Sequence, residues 1–134
     1  MRLYHGSPKL LESLRPQKAK GRNDYENLEA IFLTTEFTKA ALYAIGKNLK
    51  GITGFGVRRD KLIIMGNHRL GDGYVYEFDI EEEKLMKSAY TDEYASKEEI
   101  KPIKVHETHS KDYEKYVVRV NTKEELFSHA EEHP

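Results

Sequence analysis

The chain has 134 residues, enough for one domain with one core. Its 22 Lys and Arg nearly balance 23 Asp and Glu, a formal net charge of -1, so no bulk electrostatic pull on nucleic acid or an anionic membrane is expected. There is no cysteine, which excludes a disulfide framework, a thiolate nucleophile and a thiolate metal site. No apolar run approaches the roughly 18 residues that span a bilayer, and Tyr4-His5-Gly6-Ser7-Pro8-Lys9 interrupts any leader-like stretch at once. The composition thus predicts a cytoplasmic protein of bacterial or phage type. Nine tyrosines offer amphipathic rings for a pocket or a half-wet core.

In chain order, residues 2–5 read as a short strand that Gly6-Ser7-Pro8 must end. A histidine is thus placed at a strand-to-loop junction, beside a glycine that lets another group approach the backbone closely. Residues 9–14 carry Leu10, Leu11 and Leu14, which suits a helical turn or an irregular packed segment. Residues 17–29 are polar and hold Gly21, Asn23 and Asp24, a loop of the length that is often functional. Ala30-Ile31-Phe32-Leu33-Thr34 reads as a buried strand. A helix follows, with Thr35 as N-cap, Glu36 at the positive end of the dipole, and Phe37, Ala40, Ala41, Ala44 and Ile45 as its apolar stripe. Gly46 or Gly51 would stop it.

Residues 52–70 read as β-rich, with strands at Val57 and at Leu62-Ile63-Ile64-Met65. Gly71-Asp72-Gly73 carries a hairpin-type turn signal and the following Tyr74-Val75-Tyr76-Glu77-Phe78 alternates, so a hairpin between the Met65 region and Tyr76 is predicted. Residues 90–99 are polar. Ile100, Ile103 and Val105 mark another strand, with Pro102 at an edge or irregularity. Residues 116–120 form a late strand, and Thr122-Lys123-Glu124-Glu125 is a capping box that opens a terminal helix. The order of elements argues an α+β domain with a split, mostly antiparallel sheet and flanking helices.

Three segments, in order, resemble the ADP-ribosyltransferase superfamily: Leu3-Tyr4-His5-Gly6-Ser7, then Ala30-Ile31-Phe32-Leu33-Thr34-Thr35 running into Ala40-Ala41-Leu42-Tyr43-Ala44, then Ser96-Lys97-Glu98-Glu99-Ile100. Together they bracket about residues 2 to 105. The resemblance implies that NAD is the substrate and that ADP-ribose passes to an acceptor. His5 would hold a ribose hydroxyl, the Gly6 and Ser7 backbone the nicotinamide amide, an aromatic ring would stack on nicotinamide, and a carboxylate would stabilise the positive charge that develops at the anomeric carbon. Such chemistry needs no metal. The family tyrosine falls on Ile31, or on Phe32 if the strand slips by one. Tyr43 is a second source of the ring, although its place on the helix first suits packing. Glu98 and Glu99 stand where the family glutamate does, with Glu93 and Glu77 as further candidates. Read without the resemblance, Glu98 and Glu99 are a solvated charge pair before a strand.

Arg22 in the long loop, and Arg58-Arg59 after Gly54-Phe55-Gly56, are loose candidates for phosphate contacts. His106-Glu107-Thr108-His109 is one residue short of the zinc-helix spacing and has no evident third ligand. Two rival readings share the same fold. One is a nucleotide- or protein-binding module with a degraded site, favoured by an isoleucine at the tyrosine position. The other is an RNA 2′-phosphotransferase-like protein using Arg2, His5, Arg58 and Arg59, which the near-zero net charge does not favour.

Overall fold

In the computed structural model, residues 1–11, 14–18, 29–46, 55–58, 60–66, 69–88 and 92–132 are described. Two sheets pack on opposite flanks of one helix. The larger sheet holds β1 (Arg2–Ser7), β2 (Gln17–Lys18), β3 (Glu29–Thr34), β6 (Gly73–Asp79), β7 (Met86–Lys87), β8 (Glu93–Ser96) and β9 (Lys104–Thr108), in the order β7-β8-β3-β1-β6-β9, with β2 also pairing β3. Every pairing in it is antiparallel. The smaller sheet is β4 (Phe55–Arg58), β5 (Lys61–Met65) and β10 (Val117–Val120), with β5 central and parallel to β10. Helix α1 is Phe37–Gly46 and α2 is Lys123–Glu132. The architecture is α+β with a mostly antiparallel sheet. Among the described residues no helix is long and apolar enough to cross a membrane.

The apolar stripe of α1 explains its position. Ala40 and Ala41 pack with Val75 on the large sheet, while Leu42 and Ile45 pack with Val57, Leu62 and Ile64 of the small one. The small residues let the helix settle very close to the large sheet. A Cβ on Gly6 would overlap the Ala40 carbonyl oxygen and lie 2.7 Å from the Ala44 nitrogen. At Gly73 it would lie 2.9 Å from the Ala44 Cβ and 2.9 Å from the Ser7 carbonyl oxygen. The group that approaches the Gly6 backbone is therefore α1 itself.

The opposite face of the large sheet buries Leu3, Ile31, Leu33, Tyr76, Phe78 and Tyr94, and Leu14 closes over it through a bridge to Ile100. Tyr76 stands opposite His5 in the ladder and is fully buried. Its hydroxyl donates to the Lys9 carbonyl at 2.8 Å and accepts the Leu11 N–H, so one side chain pins the segment after β1. Tyr76→Phe should cost about 1–2 kcal/mol in denaturant unfolding and should speed hydrogen exchange at the Leu11 amide. Unchanged exchange there would mean that the hydroxyl is not the pin.

The first strand does not end at Gly6-Ser7-Pro8 but runs through Gly6 to Ser7, so His5 lies within β1 and not at its junction with a loop. Two expectations of pairing also fail. The hairpin between the Met65 region and Tyr76 does not form, because β5 lies in the small sheet and β6 in the large one. Gly71 and Asp72 lead into β6, and Asp72 accepts the Ser110 N–H at 2.9 Å and faces the His109 ring. β5 instead pairs with β4. Residues 93–96, read as part of a polar stretch, form β8 between β3 and β7. Thr122 does cap the terminal helix: its hydroxyl accepts the Glu125 N–H at 3.2 Å and donates to the Glu125 carboxylate at 3.4 Å.

Candidate functional site at the parting of β1 and β3

Antiparallel ladders alternate bonded and non-bonded pairs, so a single bond sets the phase of each strand. Ile80 N–H donates to the Met1 carbonyl at 3.0 Å. The odd-numbered residues of β1 therefore bond β6, and the backbone groups of Tyr4 and Gly6 face β3. Thr35 N–H donates to the Asp92 carbonyl at 2.9 Å, which by the same logic turns the Phe32 carbonyl towards β1. The two strands meet at Tyr4 opposite Thr34. Beyond that point β3 changes partner. The Phe32 carbonyl accepts Nδ1–H of His5 at 2.7 Å, and Ala30 and Glu29 pair with Gln17 and Lys18 of β2. Because a carbonyl only accepts, the hydrogen sits on Nδ1, and Nε2 of a neutral His5 is an acceptor.

The strand alternation also sorts the aromatic candidates. Ile31 is 3 % exposed and belongs to the core on the far face. Phe32 therefore looks towards the α1 side, as Tyr4 and Thr34 do, and is half-buried. Tyr43 is half-buried and packs part of its ring against the small-sheet core. Ser7 is buried, and its hydroxyl accepts the Lys9 N–H at 3.2 Å. Arg22, Gly54 and Arg59 lie outside the described residues.

The start of α1 carries an ionic cluster that the sequence did not announce. Thr34, rather than Thr35, supplies the hydroxyl at the helix start, accepting the Glu36 N–H at 3.1 Å. Lys39 is only 9 % exposed. Its Nζ lies 2.8 Å from Glu93 Oε1 and 3.1 Å from Asp92 Oδ2. The Thr34 hydroxyl donates to the same Asp92 oxygen at 3.4 Å. Burial alone pushes the Lys39 ammonium down, but the bond to Glu93, the charge of Glu93 and the bond to Asp92 outweigh it, so its pKa is raised. Tyr43, one helical turn on, is the smallest cause in the same direction. Glu93 opens β8 opposite Thr34. Phe32, Lys39 and Glu93 thus share the α1 side of the sheet, with Tyr43 one helical turn on from Lys39. His5, in phase with Leu3 and opposite Tyr76, leaves β1 on the other face and turns to the Phe32 carbonyl at the edge of the gap.

The other carboxylates are elsewhere. Glu98 and Glu99 follow the end of β8 and are exposed. The Glu98 backbone is held by the Ser96 hydroxyl, and Glu99 pairs loosely with Arg15 at 3.6 Å. Glu77 shares the α1 side of the sheet, but it is bound by His106 at 2.9 Å and by Arg2 at 3.2 Å. The His106 bond holds its carboxyl below the usual range. The Phe37 ring meets Tyr4 and His106 edge-on and stands over that cluster. Arg2 is thus engaged with Glu77, and His106 and His109 turn to different carboxylates. Comparison with family models, with curated proteins and with solved structures finds no match to this chain.

Proposed function

We propose that this protein binds NAD at the parting of β1 and β3 and transfers its ADP-ribose to an acceptor, with Glu93 as the carboxylate of the reaction. The observation that carries the reading is the Lys39–Glu93 pair, 2.8 Å apart, on the side of the sheet towards which Phe32 looks. A carboxylate fixed by a buried ammonium needs no reorganisation when positive charge develops beside it, the condition under which a fixed charge lowers a barrier most.

In this reading His5, turned to the Phe32 carbonyl, offers Nε2 to a ribose hydroxyl at the gap between β1 and β3. Phe32 or Tyr43 stacks on the nicotinamide ring and keeps water away. The C1′–N bond breaks with its electron pair going to nicotinamide, which leaves neutral, while Glu93 faces the cationic anomeric carbon. Ile31, the residue that favoured a degraded site, belongs to the core on the other face, so its lack of a ring does not count against turnover.

Calorimetric titration with NAD tests the binding step. Saturable heat is expected, and His5→Ala should weaken it roughly tenfold, the value of about one good hydrogen bond. No heat and no thermal stabilisation at millimolar NAD would overturn the reading.

A further inference from the structure

The large sheet is open at β9, and most of the exposed apolar surface lies beside that opening. We infer that the partner of this edge is a second copy of the chain: two β9 strands pair antiparallel about a two-fold axis at His106 and join two large sheets into one.

β9 ends the large sheet and has β6 on one side only. The phase set by the Ile80–Met1 bond turns the even-numbered residues of β6 to β1 and its odd-numbered residues to β9. Glu77 with Lys104 and Val75 with His106 are therefore bonded pairs, and the N–H and C=O groups of Val105 and Glu107 point away from the sheet. Both ends of this free stretch are closed. Ile103 N–H donates to the Glu77 carbonyl at 2.8 Å although Lys104 stands opposite Glu77, so the two share one partner, as in a β-bulge. At the other end the His109 carbonyl accepts the Asp112 N–H at 2.9 Å and starts the next turn. Val105 and Glu107 remain as a template for one more strand.

The apolar surface is gathered at the same edge. Among the described residues, the exposed large apolar side chains other than Met1 are Leu10, Leu11, Ile103 and Val105. Val105 shares a face with Tyr76, its neighbour across the ladder. The Tyr76 hydroxyl holds the backbone of Lys9 and Leu11 over that face. The segment that carries both leucines is thus pinned next to the open strand. Apolar surface beside an unpaired edge marks an interface.

Charge and phase single out the register. A strand that pairs with its own copy must set outward residues opposite outward residues, so the two-fold axis passes through a residue. At Lys104 it would set lysine on lysine and would need the Ile103 N–H, which is taken. At Val105 only the central pair bonds, because the next pair needs Ile103 again. At Glu107 two carboxylates would meet, which is destabilising. At His106 every free group is used: Val105 pairs with Glu107 of the second copy, and Glu107 with its Val105. Lys104 then lies opposite Thr108, and each His106 ring is tied to its own Glu77 at 2.9 Å, which offsets any charge it carries. An edge of 5 residues with the leucines beside it lies at the low end of interface sizes, about 1,200 Å² or below, so a weak dimer with a Kd on the order of 10 µM is expected.

Sedimentation equilibrium from about 1 to 300 µM brackets that Kd and is expected to show monomer and dimer in exchange. Glu107→Pro is the most informative variant. Proline has no N–H and is tolerated on an edge strand where that group faces outward, so the monomer should fold while the dimer weakens about 30-fold, the loss of one backbone bond from each copy. Val105→Lys, a charge of the kind that guards natural edges, should also give monomer, at an unchanged thermal midpoint in dilute solution. His106→Pro removes a bond inside the sheet and should instead lower that midpoint. A monomer throughout the range would overturn the second copy as the occupant of the edge. A dimer of parental strength in both Glu107→Pro and Val105→Lys would place the interface elsewhere and overturn the inference as well.

Discussion

Glu93→Gln is expected to lower NAD cleavage by about 10²–10³-fold, the usual cost of removing one fixed electrostatic partner of a transition state. Glu98→Gln and Glu99→Gln should stay within about twofold of the parent, the behaviour of exposed positions away from an organised site. The contrast follows from what holds each carboxylate. Glu93 is fixed by a nine-tenths-buried ammonium at 2.8 Å. Glu99 is 45 % exposed and pairs at 3.6 Å with an arginine that is 78 % exposed, and such a pair does little to orient either partner. The Gln variant keeps the shape of Glu93, and Asp92 still neutralises Lys39, so the protein should fold with a modestly lower thermal midpoint. NAD binding should persist while turnover falls, because the lost interaction belongs to the transition state. If Glu99→Gln abolishes cleavage and Glu93→Gln does not, the carboxylate of the reaction is the one that the linear resemblance points to, and the Lys39 cluster is structural.

That contrast also shows where the sequence stops being readable. β1, β3 and α1 were legible because local pattern and packing agree. Residues 30–34 are apolar and Leu3 is buried, and the small residues of α1 are the ones that meet the sheet. β8 was not legible. Glu93-Tyr94-Ala95-Ser96 has one large apolar side chain, and it is built into the sheet against β3, which is remote in sequence. Lys39 was missed for the same reason. A lysine on a helix reads as solvated, and this one is buried only because the fold brings carboxylates from 53 and 54 residues away. The choice between Ile31 and Phe32 was a matter of register, and a slip of one residue exchanges the two faces of a strand. The failed hairpin has a different cause. Asp-Gly speaks only for local turn chemistry, whereas Leu62, Ile63 and Ile64 are all buried in succession, the mark of a strand covered on both faces.

Gly6→Ala should be the most destabilising single change near the site, by at least about 3 kcal/mol, at or beyond the upper end of ordinary overpacking. The reason is the identity of the atoms in the way. An added methyl at Gly6 meets the Ala40 carbonyl and the Ala44 nitrogen, both backbone atoms of α1, so no rotamer change relieves it. The helix must lift as a body, and it is packed against the small sheet on its other flank. Gly73→Ala meets the Ala44 Cβ at 2.9 Å as well as the Ser7 carbonyl, so Ala44→Gly should recover part of its loss. Ala40→Gly should recover nothing for Gly6→Ala, since the offending carbonyl remains. Gly56→Ala, with no atom within 4 Å of the new methyl, is the control and should be near neutral. Denaturant unfolding of the set measures all four relations, and an unchanged midpoint for Gly6→Ala would mean that α1 is not seated on β1. The same seating carries Lys39 and Tyr43 to the sheet. Loss of NAD binding in Gly6→Ala therefore counts as evidence for a ligand contact at Gly6 only if the variant is still folded with α1 in place.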